Sequence, residues 1–407
     1  MEPQISGYCF PNDIHILWSV MIVMYPYITG LVAGSFVVSS LYHVFGRQEL
    51  KPISRLSLVG SLCFLLFATL PLLVHLGRPE RALNIMITPN FSSAMAAFGI
   101  LYSLYLILVV LETWLVYRKD IILLAQRSTG LRKRLYSLLA LGVYDTSEES
   151  LKLDHSVVVV LAAIGIPLAC LLHGYVGFMF GSVKANTFWS TPLMPIIFLC
   201  SAITSGIAMV MVLYQCMSKL SGIAIQPDCV QALARWLWGF MLITVSVEML
   251  EIMCLSYEQS EHWMVVGPLL SGKLAFSFIV IQMVFGSLIP AILLGVVVLM
   301  KPYLTNPLRN TISFIAALIL LIQVLAMRWN VVIGGQLSSK SMMGFRQNYD
   351  PGLFEKEGYV VALGIFLLPF ICIVVFHKLL PVTVDSEGAA EDVSAGQKSG
   401  TQSVASA

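Results

Sequence analysis

The chain has 407 residues, of which 58% are hydrophobic and only 11% charged, a balance outside the range of a water-soluble domain of this size. Its formal net charge of +2 gives no electrostatic basis for general nucleic-acid binding. Cysteines at 9, 63, 170, 200, 216, 229, 254 and 372 form no Cys-x-x-Cys, haem-attachment or ferredoxin-type spacing, so the sequence predicts neither haem nor an iron–sulfur cluster in this chain.

A span needs roughly 20 apolar residues, and runs of that length recur up to about residue 380. An outer segment, 1–15, leads into span one at 16–45. The others are predicted at 54–76, 92–117, 156–180, 191–217, 232–257, 268–300, 309–334 and 359–380, which makes the fold an all-α polytopic membrane protein with about nine transmembrane helices. Span one carries Tyr25 and Thr29 one turn apart and a kink candidate in Pro26; Pro71, Pro167, Pro290 and Pro369 are the others. The first and seventh runs exceed the bilayer thickness. The first run lacks a basic leader and a small-residue cleavage site, so it is expected to insert without being removed. Between spans three and four, 118–155 reads as a loop with an apolar piece, Leu135 to Val143, lying at the membrane surface. The loop 335–358 reads as irregular, and 383–407 as a disordered tail.

Lys and Arg set the expected orientation. One side collects Arg47, Lys51, Arg55, Arg118, Lys119, Arg127, Arg132, Lys133, Arg134 and Lys152, whereas the other has far fewer. The N-terminus is therefore expected in the periplasm and the C-terminus in the cytoplasm of a bacterial inner membrane.

Ionisable groups within hydrocarbon are costly and mark candidate sites. With this topology His75, His173, Glu248, Glu251 and Arg328 fall in the outer third of spans two, four, six and eight, and Glu112 at the inner end of span three. Such a level suits a quinone, whose apolar ring carries two oxygens that need proton donors and acceptors. Each residue also has a plain reading. The histidines can be interfacial groups bonded to backbone, Arg328 a structural counter-ion, and Tyr25 and Thr29 packing residues. Glu248 and Glu251, three apart on one helix, can divide pairing and titration between them. Bound haem is disfavoured because His155 and His173 share one span while His43 and His75 sit near opposite faces.

The run His75-Leu76-Gly77-Arg78-Pro79-Glu80-Arg81-Ala82-Leu83-Asn84 resembles the NrfD/PsrC family of quinone-interacting membrane subunits. Gly30-Leu31-Val32-Ala33-Gly34, Leu172-His173-Gly174, Trp189-Ser190-Thr191-Pro192, Glu251 and Met327-Arg328-Trp329 extend the likeness, which looks nearest to the Qrc-type menaquinone reductase subunit. The resemblance implies two four-helix bundles plus one extra helix. The first, 16–180, would hold menaquinone or another quinone as substrate at Tyr25, Thr29, His75 and Arg78. The second is 191–334. From the residues themselves, His173 on span four with Glu248, Glu251 and Arg328 at similar depth on spans six and eight predicts a proton route there, with Glu112 also in proton transfer. The resemblance further implies a periplasmic iron–sulfur partner, with multihaem cytochrome c and molybdopterin-type subunits as further candidates. Where some relatives have a carboxylate in span three, this chain reads Met95-Ala96-Ala97-Phe98. Two other functions stay open at this point: a transporter, and a passive anchor of a periplasmic enzyme.

Overall fold

A computed structural model describes residues 16–259, 261–338, 344–346 and 349–383; the N-terminal segment and the tail from 384 lie outside these. The described residues are helical apart from turns and one isolated bridge, Ser338 with Phe345. Among the described residues nine stretches are long and apolar enough to cross a membrane, as expected from the sequence.

The spans are α1 (Val20–His43), α2 (Lys51–Phe67) continued by α3 (Leu70–His75), α4 (Ala94–Arg127), α6 (Glu148–Gly181) after the short α5 (Gly130–Leu139), α7 (Met194–Ser221) and α8 (Pro227–Glu258). After α9 (Glu261–Ser271), a wide π-type segment at Ala275–Leu288 runs into α10 (Ile289–Leu299), followed by α11 (Asn306–Trp329) and α12 (Tyr359–Leu379). Local chemistry sets several ends. The Ser19 hydroxyl accepts from the Met21 N–H and Ser147 from the Ser150 N–H, each satisfying a donor the helix leaves unpaired. Gly222 closes α7 at φ 68°, a left-handed geometry in which glycine has no Cβ penalty.

Three expectations are corrected. The stretch 118–155 is mostly helix rather than loop: α4 runs on to Arg127, α5 begins at Gly130 and α6 at Glu148. Arg55 pairs with Asp120 at 2.8 Å and Arg118 with Asp154, so polar residues continue these helices beyond the hydrocarbon instead of ending them. The run 268–300 is divided at Gly272, where α9 has ended, and the helix of the first run covers 20–43 rather than 16–45.

Packing proceeds in one cycle through α1, α2, α4 and α6, and in another through α7, α8, the 275–299 helix and α11; α1 and α7 share the largest interface between them. Here Gly34 crosses Gly206 so closely that a Cβ on Gly34 would stand 2.5 Å from the Ala202 carbonyl oxygen and 2.6 Å from the Gly206 Cα. The small-residue run of span one thus lets two backbones touch, as membrane helices do where apolar burial alone gives no drive to associate. Ninety-four per cent of the apolar stretch of α1 is buried, against 17% for α8 and 22% for α12, so α1 is the central post and α8 and α12 are peripheral. α12 lies against α2, with Phe64 and Phe370 rings 5.3 Å apart.

Candidate functional site

His75 closes α3, a six-residue helix created by a break in the second span. Pro71 has no N–H to continue the ladder, and α2 stops at Phe67. The Leu65 carbonyl at the break accepts from the Ala68 N–H and from the Tyr102 hydroxyl. His75 Nδ1 lies 2.8 Å from Glu357 Oε2 and 3.4 Å from Ser19 Oγ. Partial burial pushes the Glu357 carboxyl up, but hydrogen bonds from Ser19 and His75 outweigh it and hold the group below its ordinary value. An ionised Glu357 accepts the Nδ1 proton and leaves Nε2 as the basic nitrogen of His75. The surrounding loop is stapled down: the Val20 N–H donates to Tyr349 Oη at 2.8 Å, and Gln336 exchanges two hydrogen bonds with the Trp18 backbone.

Tyr25 is buried on α1 with its hydroxyl unpartnered, and its ring meets the edge of Phe98, 5.6 Å away. Phe98 lies 6.1 Å from Tyr102. Three aromatic rings therefore line the region beside the break. The Thr29 hydroxyl donates to the Tyr25 carbonyl at 2.9 Å, bonding within its own helix. Arg78 sits in an exposed turn that also leaves Leu83, Ile87 and Phe91 uncovered.

A second constellation spans three helices. Arg328 is fully buried; its Nη2 is 3.2 Å from His173 Nε2 and donates to Ser201 Oγ at 2.8 Å and to the Phe198 carbonyl at 3.2 Å. Its guanidinium carbon stands 3.8 Å over the Phe198 ring, so the cation is held by a ring face and neutral acceptors. Among the described residues Arg328 forms no ion pair with Glu248 or Glu251. His173 also touches span one, where a Cβ on Gly30 would lie 3.3 Å from its Cε1.

Glu248 belongs to a separate line of hydrogen bonds. Its Oε2 accepts from Gln282 Nε2 at 3.0 Å, Gln282 Oε1 accepts from Asn330 Nδ2 at 2.8 Å, and Asn330 Oδ1 accepts from Ser277 Oγ at 2.6 Å. Ser277 and Gln282 lie in the π-type segment and Asn330 opens another at Asn330–Gly334, so the partners meet where the helices are widened. Glu248 and Glu251 both line a cavity of about 60 Å³ with Gln282, Asn330 and apolar neighbours such as Phe278. That volume holds a few waters, since one occupies on the order of 10–15 Å³ on this measure.

Glu112 stands apart, fully buried on α4 with both oxygens unpartnered. Ser35, Ser39 and His43, one turn apart along α1, also have unpartnered polar atoms. His43 borders a cavity of about 320 Å³ with Arg55, Lys119, Asp154 and His155 at the end of the helices opposite His75. Buried polar groups without protein partners are places where water is expected.

The structure thus joins His173 to Arg328 and places Glu251 beside Glu248. His75 belongs to neither group, Thr29 meets the backbone of Tyr25 alone among the candidates, and Arg78 and Glu112 lie apart from both groups. Glu357, Ser19, Gln282, Asn330 and Phe198 contact the candidate residues and were not paired with them by sequence reasoning. Gln282 alone carried a signal, an amide at mid-span; the His75–Glu357 contact joins residues 282 apart and has no local signature.

These features define a multi-pass helical membrane protein with polar groups from several helices gathered near one end of its spans. The profile of the NrfD polysulphide reductase family matches residues 11–339, and the chain belongs to that family. It is 29% identical over 381 residues to a selenate reductase subunit of Mesobacillus selenatarsenatis, covering 90% of this chain and 86% of that protein. It is 23% identical over 392 residues to the Hdr-like menaquinol oxidoreductase integral membrane subunit of Archaeoglobus fulgidus, covering 92% and 87%. Protein NrfD of Escherichia coli is 26% identical over 215 residues, covering 51% of this chain and 62% of the relative.

Proposed function

We propose that this protein is the quinone-handling membrane subunit of a respiratory oxidoreductase in a bacterial inner membrane, with its N-terminus periplasmic, its C-terminus cytoplasmic and menaquinone reduction as its reaction. The observation that carries the reading is the His75–Glu357 pair, set within the family motif at the end of the short helix that follows the break where Tyr25, Phe98 and Tyr102 gather. A flat ring fits among aromatic faces, and a histidine oriented through Nδ1 can exchange a proton with a quinone oxygen through Nε2. Quinone reduction takes up two electrons and two protons. The electrons come from a periplasmic iron–sulfur subunit, with multihaem cytochrome c and molybdopterin-type subunits behind it. That partner covers the turn bearing Arg78, where exposed Leu83, Ile87 and Phe91 offer an apolar surface outside the spans.

The first cycle of helices is the quinone-binding bundle and the second handles protons. Glu248 and Glu251 share a cavity large enough for water, and Arg328, held against neutral His173, supplies fixed positive charge nearby. Glu112 relays protons in the first bundle, supported by the unpartnered groups that run from Ser35 to the cavity at His43. In the purified complex, His75→Ala is expected to lower quinone-dependent turnover by roughly tenfold or more, the scale of losing a positioned proton donor. Normal turnover with full assembly of the complex would remove His75 from the site.

A further inference from the structure

We propose that α5, together with the adjoining end of α12, binds the phosphate headgroup of an anionic phospholipid. Between Asp120 and Asp145 the chain has no acidic residue, yet it carries Arg127, Arg132, Lys133 and Arg134. The last three are exposed on α5. At 100° per residue, Leu131, Leu135 and Leu138 form one stripe, with Arg134 on one flank and Arg132 on the other. Leu131 and Leu138 are 82% and 71% exposed, so the stripe is not covered by this protein. A leucine face flanked by cations is the pattern of a helix that dips into acyl chains while its charges meet headgroups.

Two hydrogen bonds fix the depth. Tyr136 Oη donates to the Leu379 carbonyl at 2.8 Å, and Trp114 Nε1 donates to the Leu139 carbonyl at 2.8 Å. Leu379 ends a 21-residue span, about 31 Å at 1.5 Å per residue, which places Tyr136 at the hydrocarbon boundary. Arg132, Lys133 and Arg134 lie two to four residues before Tyr136, within about 6 Å of that boundary. That is phosphate depth. The Tyr136 bond also brings exposed Lys378, next to Leu379, to the same edge. Four cations thus lie at the depth set by one aromatic anchor, distributed around a short helix that also carries an uncovered leucine stripe. At this depth a soluble acidic protein would meet the cations but not the leucines, whereas a phospholipid uses both halves.

The test is equilibrium binding of fluorescent phosphatidylglycerol and phosphatidylcholine to the detergent-solubilised, lipid-depleted complex. Each cation near an anionic surface is worth on the order of fivefold in binding. R132Q/K133Q/R134Q is therefore expected to weaken phosphatidylglycerol binding on the order of a hundredfold while phosphatidylcholine binding stays the same. R132K/R134K, which keeps the charge, retains the preference. K133Q changes one exposed side chain, so it keeps the test readable if the triple variant misassembles, and about a fivefold loss is expected. Equal affinity of the wild type for both lipids, or an unchanged K133Q, overturns the proposal. Displacement of the lipid by millimolar inorganic phosphate would assign the site to a soluble anion instead and overturn it as well.

Discussion

The contact between Gly34 and Gly206 invites a stringent test, because its partners are backbone and cannot rotate away. A methyl group on Gly34 would lie 2.5 Å from the Ala202 carbonyl oxygen, whereas ordinary contact begins at 3.4 Å, so α1 and α7 must separate by about 0.9 Å. Overpacking of this kind costs about 1–3 kcal/mol, and the backbone partners argue for the upper part of that range. Gly60 on α2 is the matched control. A Cβ there meets only Leu213 Cδ1, at 3.8 Å, and glycine to alanine inside a helix is worth roughly 0.5–1 kcal/mol of stabilisation. Gly34→Ala is therefore expected to melt several degrees below the wild type in detergent, and Gly60→Ala at or above it. Thermal denaturation followed by size exclusion reads both. If Gly34→Ala proves as stable as Gly60→Ala, the α1–α7 crossing is not a tight post.

Glu357→Gln removes the ionised acceptor of His75 and is expected to lower quinone-dependent turnover severalfold without loss of assembly. Because the Glu357 carboxyl is held below its ordinary value, its contribution is present above about pH 4.3 and is lost as pH falls through the depressed value. The wild type should show that acid limb and Glu357→Gln should not; superimposable profiles would exclude the carboxylate from the site. Asn330→Leu leaves Gln282 Oε1 without its buried donor, whereas Ser277 Oγ keeps the Leu274 carbonyl as acceptor, so a loss of about 1–3 kcal/mol is expected. An unfolding midpoint in denaturing detergent equal to that of the wild type would show that the network contributes nothing. In proteoliposomes holding the whole complex, Glu251→Gln is expected to abolish any voltage or pH gradient formed on turnover while quinone binding survives. Continued charge movement would end the role given to Glu251, and lost quinone binding would make it a substrate ligand.

Much of this architecture is legible in one dimension. Runs of apolar residues as long as the bilayer is thick locate all nine spans, because hydrocarbon tolerates only backbone whose hydrogen bonds close within the helix. The Gly30 to Gly34 spacing marks a close helix crossing, and the run from His75 marks the family. Helix ends beyond the bilayer were less legible. Residues such as Arg118 and Asp120 look like loop in composition, yet their ion pairs carry α4 and α6 past the membrane.

Two features rest on tertiary structure alone. One is partnership: Glu357 reaches His75, and Gln282 reaches both Glu248 and Asn330, across separations that no local pattern encodes. The other is which helix stands in the middle. The buried α1 and the peripheral α12 are both apolar all round, because lipid is as apolar as a neighbouring helix and asks for the same side chains. Sequence therefore determined that these segments cross the membrane. Their place in the array was decided by where backbones can touch, as at Gly34 and Gly206, and by where buried polar groups find one another.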